Sequence, residues 1–158
     1  MIDIWNIMDM LDWRMPPEVQ AKGISLAKDI ESIGLFMQPV TPKYSKNVWE
    51  NCAFIVESKS DEALKPYLSQ LLDWIEDVNW PGALTILERL KNISGEMLKE
   101  PFLERFFYAK NLNNEEGFMR LDKLSELLDN ADLKQQLSIH FSSIIKIGVF
   151  GIMNELYS

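Results

Sequence analysis

The chain has 158 residues, a formal net charge of −8 and one cysteine. A chain of this length favours one domain whose core is large enough to need no disulfide or structural metal. The sequence therefore predicts a single helical-repeat domain over residues 1–158. One cysteine excludes a disulfide framework and any site built from several cysteines, and it is typical of a cytoplasmic protein.

Charge and hydropathy narrow the range of partners. The 24 acidic residues outnumber the 16 basic ones, and no stretch of five or more residues is dominated by Lys or Arg. Binding to nucleic acid or to an anionic membrane needs such basic groups, so the sequence predicts neither. The first residues lack the basic start of a signal peptide. The longest apolar run, near Ile144–Met153, is far shorter than the roughly 20 residues of a membrane helix.

The excess of acidic residues lies in two segments. Residues 57–77 and residues 112–132 each hold six acidic residues against two basic ones. Two interpretations stay open at this point. The segments are solvated helix faces that aid solubility, or they form an acidic surface that steers a basic partner.

Apolar spacing predicts helices in the first half of the chain. After a first helical face between Ile4 and Leu11, prolines open a second helix, which continues to Ile33. Residues 38–47 are typical of a loop. Helices are then predicted over three segments, with Ser58–Asp61 as a cap before the second of them and a break at Asn79–Gly82 before the third. These segments are 48–56, 64–75 and 84–91.

The same spacing continues in the second half. Pro101 is predicted to open a helix that carries Phe102 and Phe106 on one side, and another helix follows over residues 118–128. Asp132 is the predicted cap of the last helix, because a short side-chain oxygen accepts a hydrogen bond from the first turn. No run alternates long enough to form a strand, so we expect about eight helices of 10–16 residues.

A weak internal repeat indicates how the helices are arranged. Leu11-Asp12-Trp13 recurs as Leu72-Asp73-Trp74 and, more loosely, as Leu128-Asp129-Asn130. Such repeats are typical of helical hairpins that stack because none can bury its apolar face alone. The sequence predicts an all-α fold, a short stack of antiparallel helical hairpins in a HEAT-like right-handed superhelix. An irregular α-bundle is the alternative.

Most catalytic groups are missing from the sequence. His140 is the only histidine, and Cys52 lies on an apolar stripe, so nucleophilic triads and zinc sites are disfavoured. The sequence predicts no enzyme, no metal and no cofactor. Asp73, Glu76 and Asp77 share one helix face. They are either solvated, or they act as acid and base or hold a metal.

Three tryptophans stand near helix ends beside acidic residues. One interpretation is structural: Trp74 and Trp80 lock a turn, with Asp73 or Asp77 accepting an indole N–H. The other is functional, since tryptophan is favoured as an anchor of binding surfaces. The predicted interface residues are Asp73, Trp74, Glu76, Asp77, Trp80 and Trp13.

The segment Leu71–Pro81 has a pattern that is found in a known group of proteins. Leu71-Leu72-Asp73-Trp74 is followed by Asp77-Val78-Asn79-Trp80-Pro81 and a second helix. This pattern resembles an uncharacterised bacterial family of small all-helical proteins, and similar domains recur among predicted immunity proteins of polymorphic toxin systems. The resemblance covers Trp49–Phe102 and implies a HEAT-like fold without known catalysis.

These observations lead to one leading functional hypothesis. The resemblance, the acid excess and the missing catalytic groups predict a non-enzymatic bacterial interaction module, an immunity protein that neutralises a basic toxin. The alternative is a ligand-binding protein or carboxylate-based enzyme with an acidic, Trp-lined groove around Asp73–Trp80. The oligomeric state stays open, as does the role of Ile144–Met153 as core or dimer interface.

Overall fold

The structure is a computed structural model, and it describes residues 3–144. The described residues form helices and turns and contain no strand. Their α-helices are α1 (Ile4–Met10), α2 (Pro17–Ala27), α3 (Lys46–Glu57), α4 (Asp61–Leu64), α5 (Leu68–Ile75), α6 (Ala83–Leu90), α7 (Gly95–Leu112), α8 (Glu115–Ser125) and α9 (Ala131–Ile144). Helix α4 is a single turn of four residues, and the other eight helices have seven residues or more. The prediction of an all-α fold with about eight helices is confirmed.

The chain divides into two compact units, Met1–Ile86 and Leu87–Ser158. In the first unit α2 contacts α1 and α3. In the second unit α7 contacts both α8 and α9. The single domain and the hairpin stack stay predictions. The run near Ile144–Met153 lies almost entirely outside the described residues.

Apolar side chains of the predicted helices form the core of each unit, but Leu84 and Phe118, at the starts of two predicted helices, are 60% and 64% exposed. The stripe along α4 and α5 is buried as its spacing predicts, because residues three and four apart lie on one helix face. Its members are Leu64, Leu68, Leu71, Leu72 and Ile75. Side chains of this size each contribute about 1.5–3 kcal/mol when fully buried. The cap predicted within Ser58–Asp61 is also present, since the Ser60 hydroxyl accepts from the Ala63 N–H at 3.2 Å.

The second helix is shorter than predicted. It ends at Ala27 rather than continuing to Ile33, and a 3-10 turn over Ile33–Phe36 follows. A side chain from outside the helix explains this end. The Lys59 ammonium donates to the carbonyl oxygens of Lys28 at 2.6 Å and Ile30 at 2.8 Å. A cation at a helix C-terminus satisfies carbonyls that the next turn would otherwise use.

Pro101 does not open a helix. It lies inside α7, which runs unbroken from Gly95 to Leu112. A proline at such a position removes one helical hydrogen bond. The side chains of Leu98, Phe102 and Phe106 are buried on both sides of it, so tertiary packing outweighs the local cost. The expected length of 10–16 residues is also wrong for five helices, since α1, α4, α5 and α6 are shorter and α7 is longer.

The residue that caps the last helix is Asn130, not the predicted Asp132. Because α9 begins at Ala131, Asn130 occupies the capping position, and its side-chain oxygen accepts from the Leu133 N–H at 3.0 Å. Asp132 has a different role. Its carboxylate accepts from the backbone N–H of Gly95 at 2.6 Å, at the start of α7. A carboxylate is favourable there because helix N-termini carry partial positive charge.

The buried Asn130 provides a test of this packing. Besides capping α9, its side-chain nitrogen donates to the carbonyl oxygens of Leu90 at 3.3 Å and Ile93 at 2.7 Å. We expect Asn130→Ala to lower the free energy of unfolding by about 2–4 kcal/mol, because it removes the cap of α9 and the side-chain donor to the buried Ile93 carbonyl. Urea denaturation measures the loss. The exposed Asn92, with one amide bond to the Glu88 carbonyl, is the control. A loss no larger than that of Asn92→Ala would contradict this role.

Candidate functional site

The turn between α5 and α6 is held by hydrogen bonds from its own residues. The Asp77 carboxylate accepts from the Asn79 N–H at 3.0 Å, and its backbone carbonyl accepts from the Trp80 N–H at 3.0 Å. The Trp74 indole N–H donates to the Pro81 carbonyl at 3.0 Å. The acceptor is therefore a backbone oxygen, not the carboxylate of Asp73 or Asp77. Trp74 thus locks the turn, as the structural interpretation expects, through a different partner.

Helix α3 fixes the other end of this turn. The Glu50 carboxylate accepts from the Gly82 N–H at 2.8 Å. Gly82 has a φ of 83°, a conformation that favours glycine. The Trp49 ring makes edge contacts with Trp74 at 6.5 Å and with Trp80 at 5.9 Å between centroids. Contacts from α3 and from α5 therefore hold the turn at both ends.

The six predicted interface residues differ widely in exposure. Trp74 and Glu76 are buried in the interior. Asp73, Asp77 and Trp80 are half-buried at the surface of the turn. Trp13 is 51% exposed and lies elsewhere in the first unit, on the loop between α1 and α2. A partner that rests on the turn would therefore contact Asp73, Asp77 and Trp80, and not Trp74 or Glu76.

Sequence reasoning missed one residue of this surface. The helix predicted over residues 84–91 begins with Leu84, and the side chain of this residue is 60% exposed. Its position just after the turn places it near Trp80, whose carbonyl accepts from the Ala83 N–H at 3.1 Å. The break at Asn79–Gly82 was the only available signal, because it fixes the direction in which α6 starts. Asp73, Asp77, Trp80 and Leu84 are called the acidic turn surface below.

A depression of about 200 Å³ lies beside the acidic turn surface. Asp73 lines it together with Met37, Gln38, Gln70 and Trp74, whereas Glu76 and Asp77 do not. Gln38 has a left-handed backbone with a φ of 45°. Its side-chain nitrogen is buried without a hydrogen-bond partner in the described part of the chain. The predicted carboxylate trio therefore does not converge on this depression.

The loop that carries Trp13 has a fixed backbone. The Trp13 N–H donates to the Asn47 carbonyl at 2.9 Å, and the Gln20 amide donates to the carbonyls of Trp13 and Met15 at 3.2 and 2.6 Å. The Trp13 indole is nevertheless half exposed, whereas Trp74, its counterpart in the sequence repeat, is fully buried. The repeated Leu-Asp-Trp pattern thus gives its two tryptophans different environments.

Asp12, beside this loop, is held by several donors. The Arg14 guanidinium donates to its carboxylate at 2.9 Å, the Arg14 backbone N–H at 2.9 Å, and the Asn47 amide at 2.9 Å. The Arg14 side chain, more than any other group, holds the pKa of Asp12 well below the ordinary value of an aspartate. Lys43 and then Tyr44 lower the pKa of Asp9 in the same way.

This arrangement predicts a loss of stability in acid. A carboxylate whose folded pKa is depressed contributes stability above its unfolded pKa, and that stability is lost as the pH falls through the folded pKa. We expect the free energy of unfolding to decrease below about pH 4, and Asp12→Asn to flatten the decrease. Urea denaturation at several pH values measures the slope. Arg14→Met should flatten it too, and an unchanged slope in both variants would contradict the prediction.

Cys52 and His140 are the residues that a nucleophile–base pair would require. Cys52 is fully buried, and burial raises the pKa of its thiol to about 12. Such a thiol is protonated at neutral pH and unreactive. His140 lies half-buried on α9 in the second unit. Among residues 3–144, no group of three or more His, Cys, Asp or Glu side chains is placed to hold a metal ion. Within the same range no helix is long and apolar enough to cross a membrane.

The fold and the turn define an all-α protein with a locked, acidic, Trp-containing turn. The family model described as a domain of unknown function (DUF5071) matches residues 46–102. The matched range begins with α3 and ends within α7, so it includes the whole acidic turn surface. No curated protein and no solved structure matches the chain.

Proposed function

We propose that this chain is a non-enzymatic protein-interaction module that binds a basic partner protein through the acidic turn surface. The proposal is carried by one observation: hydrogen bonds hold the backbone of the turn, while the side chains beside it stay accessible to a partner. The Trp74–Pro81 and Gly82–Glu50 hydrogen bonds hold the backbone. Two carboxylates, an indole and the 60% exposed Leu84 remain accessible beside it.

This combination suits binding for an energetic reason. Association costs less when the interface is already ordered, because little conformational freedom is lost. Trp80 is held at one edge by Trp49 and is half-buried, which is the setting of an anchor residue. Leu84 adds apolar area that no described part of the chain covers. The surface therefore combines two accessible apolar side chains with two carboxylates.

The charge of the chain supports a basic partner. The net charge is −8, and the segment 57–77 that leads into the turn contributes six acidic residues against two basic ones. Asp77 has no ion pair among the described residues, and its carboxylate accepts only the Asn79 N–H. Complementary charge speeds encounter and selects partners, and the effect falls with salt.

A more specific proposal rests on the resemblance at Leu71–Pro81. On that basis the chain is an immunity protein in the bacterial cytoplasm that neutralises a basic toxin, for example a nuclease, encoded beside it. Neutralisation needs only that the toxin's working surface is covered, so it requires no catalytic group on this chain. The match to residues 46–102 supports the idea that the turn belongs to a recurring domain.

Mixing the purified chain with the product of the adjacent gene tests the proposal. At low ionic strength we expect a stable complex by size-exclusion chromatography, weakened at roughly 1 M salt, where the Debye length falls to about 3 Å. The complex should also abolish the toxicity of the partner in cells. Absence of a complex at low salt would count heavily against the proposal.

The depression beside Asp73 favours a second candidate function, the binding of a small polar ligand. Its support is the strained Gln38 with an unsatisfied side-chain nitrogen, next to one carboxylate and the Gln70 amide. A thermal-shift screen with free amino acids and monosaccharides tests this candidate. A stabilising compound should lose its effect in Gln70→Ala, and no hit in the screen would contradict the candidate.

A further inference from the structure

The turn that joins α5 to α6 brings a carboxylate close to an indole. The Asp77 carbonyl accepts from the Trp80 N–H at 3.0 Å, which closes a β-turn, and the Asp77 carboxylate accepts from the Asn79 N–H at 3.0 Å. In a β-turn the Cα atoms of the first and fourth residues lie within about 7 Å of each other. The side chains of Asp77 and Trp80 therefore start from neighbouring points of the backbone.

Asp77 keeps hydrogen-bonding capacity for a partner. It is half-buried, and among residues 3–144 it forms no ion pair and its carboxylate accepts only the Asn79 N–H. An ionised carboxylate can accept about four hydrogen bonds. The bond from Asn79 fixes the orientation of the group, and the second oxygen is not buried in the described part of the chain. A donor from outside would meet an oriented carboxylate oxygen.

Trp80 provides an aromatic ring beside this carboxylate. Its ring lies 5.9 Å from the Trp49 ring between centroids, at an interplanar angle of 75°. Because the two rings are almost perpendicular, Trp49 covers at most one face of the Trp80 ring. Trp80 is half-buried, and the exposed Leu84 follows it at the start of α6. An aromatic ring and an aliphatic side chain thus accompany the Asp77 carboxylate.

We propose that the acidic turn surface recognises one arginine residue of its basic partner. The edge of the guanidinium donates hydrogen bonds to the Asp77 carboxylate, its flat side stacks on the Trp80 ring, and its methylene stem lies against Leu84. A charged hydrogen bond and a cation over an indole are both favourable, and they act on the same group. This inference rests on the proposed function, and it names the chemical group that the surface binds.

Arginine suits this arrangement better than lysine. A guanidinium is planar and weakly hydrated, so it can pair with a carboxylate and stack on a ring at the same time. An ammonium is a compact and strongly hydrated charge without a flat side. An anionic group is disfavoured, because the first 86 residues carry 13 acidic residues against 7 basic ones.

The chain contains a second pair of carboxylate and indole that serves as an internal control. Trp13 follows Asp12 and is half exposed. Both oxygens of the Asp12 carboxylate are already occupied, one by the Arg14 guanidinium at 2.9 Å and the other by the Asn47 amide at 2.9 Å. Asp12 therefore lacks the available oxygen of Asp77, and we expect no arginine from outside to bind beside Trp13.

Three tripeptides test the proposal. They are acetylated and amidated, carry leucine at both ends, and differ only in a central arginine, lysine or citrulline. Citrulline has nearly the shape of arginine but no charge. Each peptide is titrated at low salt into the isotopically labelled chain, and NMR follows the indole N–H signals of Trp80 and Trp13. The variants Trp80→Phe and Trp13→Phe identify these two signals.

We expect the arginine peptide to shift the Trp80 signal with a dissociation constant in the millimolar range. The lysine and citrulline peptides should bind roughly fivefold more weakly, and the Trp13 signal should not move. Asp77→Asn should reduce binding of the arginine peptide to the level of the citrulline peptide, because it removes only the charge. The control Glu18→Gln should leave binding unchanged.

Several results would overturn the inference. They are an arginine peptide that does not bind, a lysine or citrulline peptide that binds as tightly, equal shifts at Trp13 and Trp80, or unchanged binding in Asp77→Asn. The proposed function is tested separately by the complex with the product of the adjacent gene. If that complex forms although the arginine peptide fails, only the inference about arginine is wrong.

Discussion

Replacing Trp74 by alanine should lower the free energy of unfolding by about 3–5 kcal/mol. The side chain is fully buried, contacts the Trp49 ring, and donates its indole N–H to the Pro81 carbonyl. Its removal creates a cavity and leaves that carbonyl without its donor. A loss of this size is a large fraction of the stability of a small protein. Urea denaturation monitored by circular dichroism measures the change.

The chain offers a matched control for this experiment. Trp13 stands in the same Leu-Asp-Trp pattern but is half exposed, so Trp13→Ala should cost less than about 1 kcal/mol. Trp74→Phe separates packing from hydrogen bonding, because it keeps most of the ring and removes the N–H. Equal losses for Trp74→Ala and Trp13→Ala would show that the turn is not held from the interior as described.

Gly82→Ala, which adds one methyl group, should lower the free energy of unfolding by at least about 2 kcal/mol. The added Cβ would stand 2.6 Å from the Ala53 Cβ, 2.9 Å from the Trp49 carbonyl oxygen and 3.1 Å from the Trp74 ring. The φ of 83° adds backbone strain for any residue with a side chain. Because the clash lies under the acidic turn surface, Gly82→Ala should also weaken binding of the basic partner.

Gly34→Ala is the control for Gly82→Ala. Its Cβ would meet the Tyr67 hydroxyl at 3.2 Å, and that side chain can shift slightly. The position is exposed, so we expect a change of about 0.5 kcal/mol or less. Thermal unfolding of both variants under the same conditions compares them. A Gly82→Ala variant as stable as Gly34→Ala would contradict the close approach of α3 to the turn.

The helical fold could be predicted because apolar spacing is a local signal. The stripe from Leu64 to Ile75 is buried as the spacing indicates. The ends of helices are harder to predict, since side chains far away in the sequence determine them. Lys59 ends α2 from outside the helix, and packing on both sides of Pro101 keeps α7 continuous. The cap of α9 is Asn130 rather than the predicted Asp132, because the start of this helix depends on contacts of Asn130 with Leu90 and Ile93.

The candidate site was only partly predictable for the same reason. Asp77, Trp80 and the turn between them follow from the local sequence, and Asp77 does initiate the turn. The sequence could not distinguish the buried Glu76 from the half-buried Asp73 three residues before it, since helical spacing gives no depth. Exposure of Leu84 and of Trp13 depends on which side chains from other helices cover them. No local pattern contains that information.

The most direct test of the central claim is to measure the binding kinetics of the adjacent gene's product with four forms of the chain. We compare the wild type with Asp77→Asn, Trp80→Ala and the control Glu18→Gln, which removes one exposed carboxylate on α2. Asp77→Asn keeps the oxygen that accepts the Asn79 N–H and loses only the charge. We expect it to slow association at low salt. Trp80→Ala should raise the dissociation constant roughly 30-fold or more, and Glu18→Gln should behave as the wild type. Equal binding by all four forms would contradict the claim that the acidic turn surface binds the partner.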